Sequence, residues 1–285
     1  MDPIAFTLFG HDFRWYGVMA ATGVMAAYLL LRRNRRMAGL SEERVADIMF
    51  VTLISGIAGA RLFYVLQFWN RFIRYKVVAG VRMPRTAFET LIEIFRIDHG
   101  GLVFYGGFLC AVAALFIYCR RKKIDFLRFA DAFVPSLAIG HAFGRIGCFI
   151  NGCCYGKTCS WGFHYPEKYN VFPGHGVYPV QIFESACEFA ACILLLFLLG
   201  KMRKGRLSAL YVIIYGIVRF SLEFIRGDHT DFLFGVLTEA QCVSIVAVPA
   251  AAYLFWRCGR NPVVAPNPEE GDSEKTTEDA SNSPA

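Results

Sequence analysis

The chain has 285 residues, of which 55% are hydrophobic and 19% are charged, with a formal net charge of +7 and a mean hydropathy of +0.41. It is too apolar for one water-soluble domain, and its apolar runs are too regular for a disordered chain. At about 20 apolar residues per bilayer crossing, this length supplies about seven membrane helices with their loops. We therefore predict an all-α integral membrane protein.

Seven apolar stretches, each near the length of a tilted membrane helix, follow one another along the chain. They cover 13–32, 45–68, 101–119, 127–150, 181–200, 207–226 and 236–256. Clusters of Arg and Lys follow the first, third, fifth and seventh stretches, so all of them fall on one side if every stretch spans the membrane. The positive-inside rule then places the N-terminus outside and the C-terminus in the cytoplasm. The segments predicted inside are 33–44, 120–126, 201–206 and 257–285.

The segment 69–98 departs from this rule, because it is predicted outside and yet carries six Arg or Lys residues. Aromatic and aliphatic residues are interleaved with these cations, which is typical of an amphipathic arm on the membrane surface that attracts anionic lipid headgroups. A solvated loop is the alternative. A second outer segment, the head loop, is predicted at 151–180.

The C-terminal segment 261–285 is rich in Pro, Ser, Thr and Glu, with six acidic residues against one Lys. We predict a disordered cytoplasmic tail there. The remaining residues, 1–260, are predicted to form one membrane domain of net charge +12, since the tail contributes −5 to the total of +7. These charges follow the membrane edges, so nucleic acid is not an expected partner.

Six of the charged residues within the apolar stretches need a functional explanation, since each costs about 2.5–3.5 kcal/mol at the centre of a bilayer. They are Arg61, Arg145, Glu184, Glu188, Arg219 and Glu223. Arg219, Glu223 and Arg226 are spaced i, i+4, i+7 on one helix face, so the acid can pair with either arginine. The other arginines, predicted in the same outer half of the membrane, leave an excess of positive charge that suggests a cavity for an anion such as a phosphate. Simple neutralisation of Arg219 by Glu223 is the alternative.

Four of the ten cysteines crowd the end of the fourth stretch, and the other six are predicted core residues in or beside apolar helices. The four are Cys148, Cys153, Cys154 and Cys159. Their C-x4-C-C-x4-C spacing lacks the C-x2-C pairs of zinc and iron–sulfur sites. On an oxidising outer face, it favours a disulfide from Cys159 to Cys153 or Cys154 over a metal site. We predict no metal and no cofactor. Gly152 and Gly156 fall where the helix should end, so their backbone amides are expected to approach an anion.

Five strings of residues carry a resemblance to a known family. They are RWYG at 14–17, GGLVFYGG at 100–107, GRIGCFINGCCYG at 144–156, YPVQIFE at 178–184 and YGIVRFSLEFIR at 215–226. In order and spacing they resemble the prolipoprotein diacylglyceryl transferases, bacterial enzymes that add the first lipid to lipoproteins, and the similarity covers about residues 13–257. The resemblance implies seven helices in the cytoplasmic (inner) membrane, with an arm, a head and the active site on the periplasmic side.

The family reaction moves the diacylglyceryl group of phosphatidylglycerol to the lipobox cysteine thiol of a prolipoprotein. It forms a thioether and releases glycerol phosphate. Such a reaction needs an anion site for the phosphate and a group that takes the thiol proton. The expected partners are therefore phosphatidylglycerol, prolipoprotein signal peptides with a lipobox cysteine, and the lipid bilayer.

By resemblance, Arg145 and Arg219 hold the phosphate and stabilise the leaving group, while Glu223 orients Arg219. The residues implied to shape the pocket are Tyr16, Asn151, Gly156 and Tyr215.

This chain departs from the better-studied members, which carry His where Tyr105 stands, Asn where Cys148 stands and Glu where Cys153 stands. The histidine is their proposed base, and tyrosine has an ordinary pKa of about 10. The proton acceptor here is therefore Tyr105, His99 or neither, if the positive field alone makes the substrate thiol acidic.

Two other functions stay open from the residues alone. Charges inside membrane helices also mark ion pathways, which would suit an outward-facing anion transporter. Transport sites, however, lie near the midplane between repeated halves, and no repeat is visible in the sequence. A thiol redox or metal-binding membrane protein built on 148–159 is the second alternative, and it would lose function when these cysteines became serine.

Overall fold

The computed structural model describes residues 4–8, 10–73, 76–78, 81–83, 86–95, 101, 103–166, 174–228 and 237–260. Its elements in chain order are β1 (Ile4–Leu8), β2 (His11–Arg14), α1 (Trp15–Ala38), α2 (Glu42–Gln67), α3 (Trp69–Ile73), β3 (Lys76–Val78), β4 (Val81–Met83), α4 (Ala87–Phe95), α5 (Phe104–Arg121), α6 (Phe126–Asn151), β5 (Thr158–Phe163), α7 (Val180–Leu198), α8 (Arg206–Glu223) and α9 (Glu239–Arg257). β1 pairs antiparallel with β2, and β3 with β4. The chain is mostly helical, as predicted. His99 and the predicted tail, 261–285, lie outside the described residues.

Each of the seven predicted apolar stretches is a long helix, namely α1, α2, α5, α6, α7, α8 and α9. Five of these, α2, α5, α6, α7 and α9, are long and apolar enough to cross a membrane. In α8, Arg206, Arg219 and Glu223 lower the hydropathy, and α1 ends in a run of arginines. The described helices are those of a membrane protein.

Two compact units divide the chain, one made of Met1–Ser41 with Leu127–Ala285 and the other of Glu42–Phe126. The core of the first unit lies where α6, α7 and α8 meet, and its buried members are Val134, Ala138, Cys192, Leu195, Leu207 and Tyr211. Asp131 of α6 caps the N-terminus of α8. Its carboxylate accepts hydrogen bonds from the backbone N–H groups of Gly205 at 2.6 Å and Ser208 at 2.8 Å.

Backbone hydrogen bonds fix the segment that follows α6 to the end of α8. The Lys157 N–H donates to the Ile225 carbonyl at 2.8 Å, and the Gly227 N–H donates to the Tyr155 carbonyl at 3.0 Å. These bonds bring the end of the GRIGCFINGCCYG string beside the end of the YGIVRFSLEFIR string. Two strings far apart in sequence therefore contribute to one region of the first unit.

In the second unit, α2 and α5 pack through glycines. A Cβ atom added to Gly59 would clash with Cys110, and one added to Gly106 would clash with Phe63. Gly106, in the GGLVFYGG string, therefore permits close helix packing.

Arg61 of α2 binds backbone carbonyls within the second unit. Its guanidinium donates to Glu93 at 2.6 Å and to Ile94 at 2.8 Å, near the end of α4, and to Gly101 at 3.1 Å. A cation at the carbonyl end of a helix is favourable. The interpretation of Arg61 as part of an anion cavity is thus replaced by a structural role.

Candidate active site

Arg145 lies within the last two turns of α6 and is 8% exposed. Its Nη2 atom forms an ion pair with Oε2 of Glu184, which is 1% exposed at the start of α7. Such a charge is tolerated in the interior because it is paired, since an isolated one would cost several kcal/mol. The Nε atom of Arg145 is also buried and has no hydrogen-bond partner among the described residues. This N–H is a donor for an acceptor such as a phosphate oxygen.

A second ion network lies at the end of α8. Arg219 Nη1 is 2.6 Å from Glu223 Oε2, and Arg226 Nη1 is 3.7 Å from the same oxygen. Arg226 also pairs through Nε with Oδ1 of Asp228 at 2.5 Å. The prediction that Glu223 pairs with either arginine is confirmed, because it contacts both.

His141 joins the first network and was missed from the sequence. Its Nε2 atom lies 3.7 Å from Oε1 of Glu184, and its Nδ1 atom lies 3.4 Å from Oε1 of Glu188. The Tyr211 hydroxyl donates to the other oxygen of Glu188 at 3.1 Å. Residue spacing could have indicated this role. His141 and Arg145 are spaced i, i+4 on α6, and Glu184 and Glu188 have the same spacing on α7, so each pair lies on one helix face.

The ion pairs overturn the predicted excess of positive charge. They join Arg145 to Glu184, Arg219 and Arg226 to Glu223, and Arg226 to Asp228. Within the described residues, carboxylates therefore match these arginines. An anion here must bind the guanidinium N–H groups that the carboxylates leave open, not a surplus of charge.

Two tyrosines lie beside these networks. The Tyr215 ring packs edge-on against His141, with centroids 5.3 Å apart, and interacts electrostatically with both Arg145 and Arg219. Tyr16, at the start of α1, interacts with Arg145. Tyr215 is therefore close to both networks, and Tyr16 is close to the first.

In the turn after α6, the backbone amides of two glycines donate hydrogen bonds to backbone carbonyls of the protein. Gly152, with φ +68°, ends the helix as predicted, and its N–H donates to the Phe149 carbonyl at 3.2 Å. The Gly156 N–H donates to the Tyr178 carbonyl at 3.0 Å. The prediction that these two amides approach an anion is therefore wrong. Gly156 instead permits a close approach, because a Cβ atom there would lie 2.5 Å from that of Tyr178.

The sulfur atoms of Cys148, Cys153 and Cys154 lie within 4.8 Å of one another, and all three are free thiols. Cys159 is also free, so the predicted disulfide is not formed. The reason is that Cys159 lies on β5, where its sulfur packs over Gly162. Hydrogen bonds from the Cys148 and Cys153 thiols, helped by nearby arginines, lower the pKa of Cys154 well below its usual range.

Asn151, the last residue of α6, points its side-chain amide at this cluster. Its Nδ2 atom lies 3.7 Å from Cys153 Sγ. Tyr105, by contrast, lies in the second unit in the first turn of α5, where its ring contacts Phe104. His99 lies outside the described residues.

Comparison with known proteins identifies the family of this chain. The model of the family "Prolipoprotein diacylglyceryl transferase" matches residues 3–257. The chain is similar to the phosphatidylglycerol–prolipoprotein diacylglyceryl transferase of Finegoldia magna, with 34% identity over 89% of this chain and 94% of the relative. It is also similar to that of Clostridium kluyveri, with 33% identity over 90% and 96%, and to that of Nitratidesulfovibrio vulgaris, with 32% identity over 90% and 94%. The chain therefore belongs to the prolipoprotein diacylglyceryl transferase family.

Proposed function

We propose that this chain transfers the diacylglyceryl group of phosphatidylglycerol to prolipoproteins, the reaction for which its relatives are named. The acceptor is the thiol of the lipobox cysteine, which forms a thioether while glycerol phosphate leaves. Nothing in the comparisons favours the anion transporter.

The structural observation that carries this proposal is the buried Nε of Arg145, which has no partner among the described residues. Glu184 pairs with the Nη2 atom of this guanidinium, so the Nε donor remains for the phosphodiester. Arg219, held through Nη1 by Glu223, supplies the second cation. Together Arg145 and Arg219 form a phosphate clamp.

The clamp stabilises the leaving group. The thiolate sulfur attacks a glycerol carbon, and the C–O bond to the phosphate breaks. Negative charge grows on the departing phosphate, so guanidinium N–H donors bind the transition state more tightly than the diester. Asn151, Gly156, Tyr16 and Tyr215 line the pocket beside the clamp.

The thiol proton needs an acceptor, and Tyr105 and His99 remain our candidates. His141 is a positioning residue in this scheme. The imidazole of His141 contacts the Glu184 carboxylate, and that carboxylate pairs with Arg145. His141 therefore helps to orient the Arg145 guanidinium.

We also propose that the seven long helices cross the inner membrane, with the N-terminus outside and the clamp facing the periplasm. Both the lipid and the exported signal peptide reach that leaflet. The arm, 69–98, lies on its surface, a placement supported by α4. This helix exposes one apolar stripe spaced i, i+3, i+4, i+7, made of Phe88, Leu91, Ile92 and Phe95. The head, 151–180, and the membrane domain, 1–260, belong to the same proposal, with the C-terminus on the cytoplasmic side.

The test uses purified protein in phosphatidylglycerol vesicles with a synthetic lipobox peptide. The mass of the peptide is followed in wild type, in Arg219→Gln and in the control Arg120→Gln, an exposed arginine at the end of α5. We expect a diacylglyceryl adduct with wild type and with Arg120→Gln, and its loss with Arg219→Gln. No adduct from folded wild type would refute the function, and full activity of Arg219→Gln would refute the clamp.

A further inference from the structure

Three thiols of the first unit converge on one point without being bonded to one another. The sulfurs of Cys148, Cys153 and Cys154 lie within 4.8 Å of one another, and each residue is partly buried. A zinc ion binds thiolates at about 2.3 Å, which places two sulfurs of a tetrahedral site about 3.8 Å apart. Small side-chain rotations therefore suffice to bring all three onto one ion.

The turn that carries these thiols is held by buried contacts. Gln181, fully buried in α7, donates from Nε2 to the Cys153 carbonyl at 2.7 Å. Cys154 has φ +62°, a left-handed conformation that is rare for any residue but glycine. Such a conformation persists only where its surroundings enforce it. The convergence of the three thiols is thus built into the turn.

Nitrogen donors surround the sulfurs. Nη1 of Arg145 lies 3.9 Å from Cys148 Sγ, and Nδ2 of Asn151 lies 3.7 Å from Cys153 Sγ. Donors of this kind stabilise metal-bound thiolates and fix their orientation. Three thiolates with one Zn²⁺ carry a net charge of −1, and the Nη1 donor of Arg145 lies beside one of these thiolates.

A disulfide would use only two of these sulfurs and leave the third beside them. Binding of one ion uses all three and needs no oxidant. Three protein ligands with an open fourth position are also the usual arrangement of a catalytic zinc site.

We propose that Cys148, Cys153 and Cys154 bind one zinc ion whose fourth position accepts the lipobox cysteine of the substrate. The coordination of the lipobox cysteine rests on the proposed function. Metal coordination deprotonates a thiol, so this site would activate the nucleophile in a chain that has tyrosine at position 105. Arg145 contacts Cys148 and belongs to the phosphate clamp, which places the sulfur nucleophile beside the phosphate that leaves.

The balance of the step is simple. On binding zinc, the three protein thiols would release three protons to solvent, and the substrate thiol would release a fourth to solvent on taking the open position. Its sulfur then supplies the electron pair of the new S–C bond, and the C–O pair departs with glycerol phosphate. The ion stays divalent throughout, and no oxidant or reductant takes part.

The first experiment measures metal without activity. Full-length protein purified under reducing, oxygen-free conditions is loaded with Zn²⁺ or Co²⁺, and bound metal is counted by elemental analysis and by the thiolate-to-cobalt absorption band. We expect one ion per chain in wild type and in Cys159→Ser, the control from β5 outside the cluster. Cys148→Ser, Cys153→Ser and Cys154→Ser should each lose the cobalt band. No stoichiometric metal in folded wild type, or a disulfide within the cluster by mass spectrometry, would overturn the site.

The second experiment tests the open position. A lipobox peptide should shift the cobalt spectrum, and the same peptide with serine in place of cysteine should not. Removal of metal with a chelator should lower transfer at least about tenfold, with recovery on adding Zn²⁺. Metal that binds without any response to the peptide would refute the open position. A metallated protein that forms no adduct would refute the proposed function and leave the metal site standing.

Discussion

The two ion networks of the first unit differ in how they are built. The Arg219 network lies along one helix and its end, with Glu223 placed between Arg219 and Arg226 by helical spacing. The Arg145 network crosses from α6 to α7, since Glu184 belongs to the next long helix of the chain. The first can form wherever α8 is helical, whereas the second exists only when α6 and α7 are packed together. Mutations in the Arg145 network should therefore affect both folding and transfer, and those in the Arg219 network mainly transfer.

The largest difference is expected between Arg145→Gln and Arg219→Gln. Each should lower transfer by about 10²–10³-fold, because each removes a charged donor from the leaving phosphate. Only Arg145→Gln leaves a buried carboxylate with no arginine partner, so it should also cost about 3–5 kcal/mol of stability. Glu223 keeps Arg226 when Arg219 is replaced. Adduct formation and thermal unfolding in detergent measure the two effects.

A double variant separates the loss of transfer from the loss of stability. Arg145→Gln with Glu184→Gln removes the unpaired charge, so stability should recover while transfer stays low. Equal stability of the single Arg145→Gln and Arg219→Gln variants would contradict the contrast between the two networks.

His141 should have the next largest effect. His141→Leu removes the contacts to Glu184 and Glu188, and a misplaced clamp can lose about 10²-fold in rate. Because the residue acts through Glu184, kcat should fall while KM for the peptide stays unchanged. His141→Gln keeps a hydrogen-bonding group and should recover part of the rate. A rate equal to wild type in His141→Leu would show that Glu184 needs no support from the imidazole.

The same contrast explains what the sequence could predict. Hydropathy located all seven long helices, and helical spacing paired Glu223 with its arginines, because both signals are local. The pairing of Arg145 with Glu184, and of His141 with both glutamates, depends on how α6 packs against α7. Cysteine spacing suggested a disulfide from Cys159, but the turn after Asn151 directs three other thiols together. These contacts are set by tertiary structure, which no single stretch of sequence contains.

A smaller effect is expected at the close contact between Gly156 and Tyr178. Gly156→Ala places a Cβ atom 2.5 Å from that of Tyr178, so it should cost about 1–3 kcal/mol by overpacking. Gly144→Ala is the matched control, because nothing lies within 4 Å of a Cβ atom there. In α6, that change should be neutral or should stabilise by up to about 1 kcal/mol. Equal unfolding temperatures for the two variants would show that the contact between Gly156 and Tyr178 can relax without cost.

The smallest effect is expected at the outer end of the Arg219 network. Asp228 pairs with Arg226 through the guanidinium Nε, but its side chain is 20% exposed, whereas that of Glu223 is 3% exposed. Asp228→Asn should therefore cost less than about 1 kcal/mol and leave transfer within about twofold of wild type. Glu223→Gln, measured beside it, should lower transfer far more, since Glu223 holds Arg219. If the two variants behaved alike, Arg219 would not depend on Glu223 for its position, and the clamp would have to be oriented by the helix backbone alone.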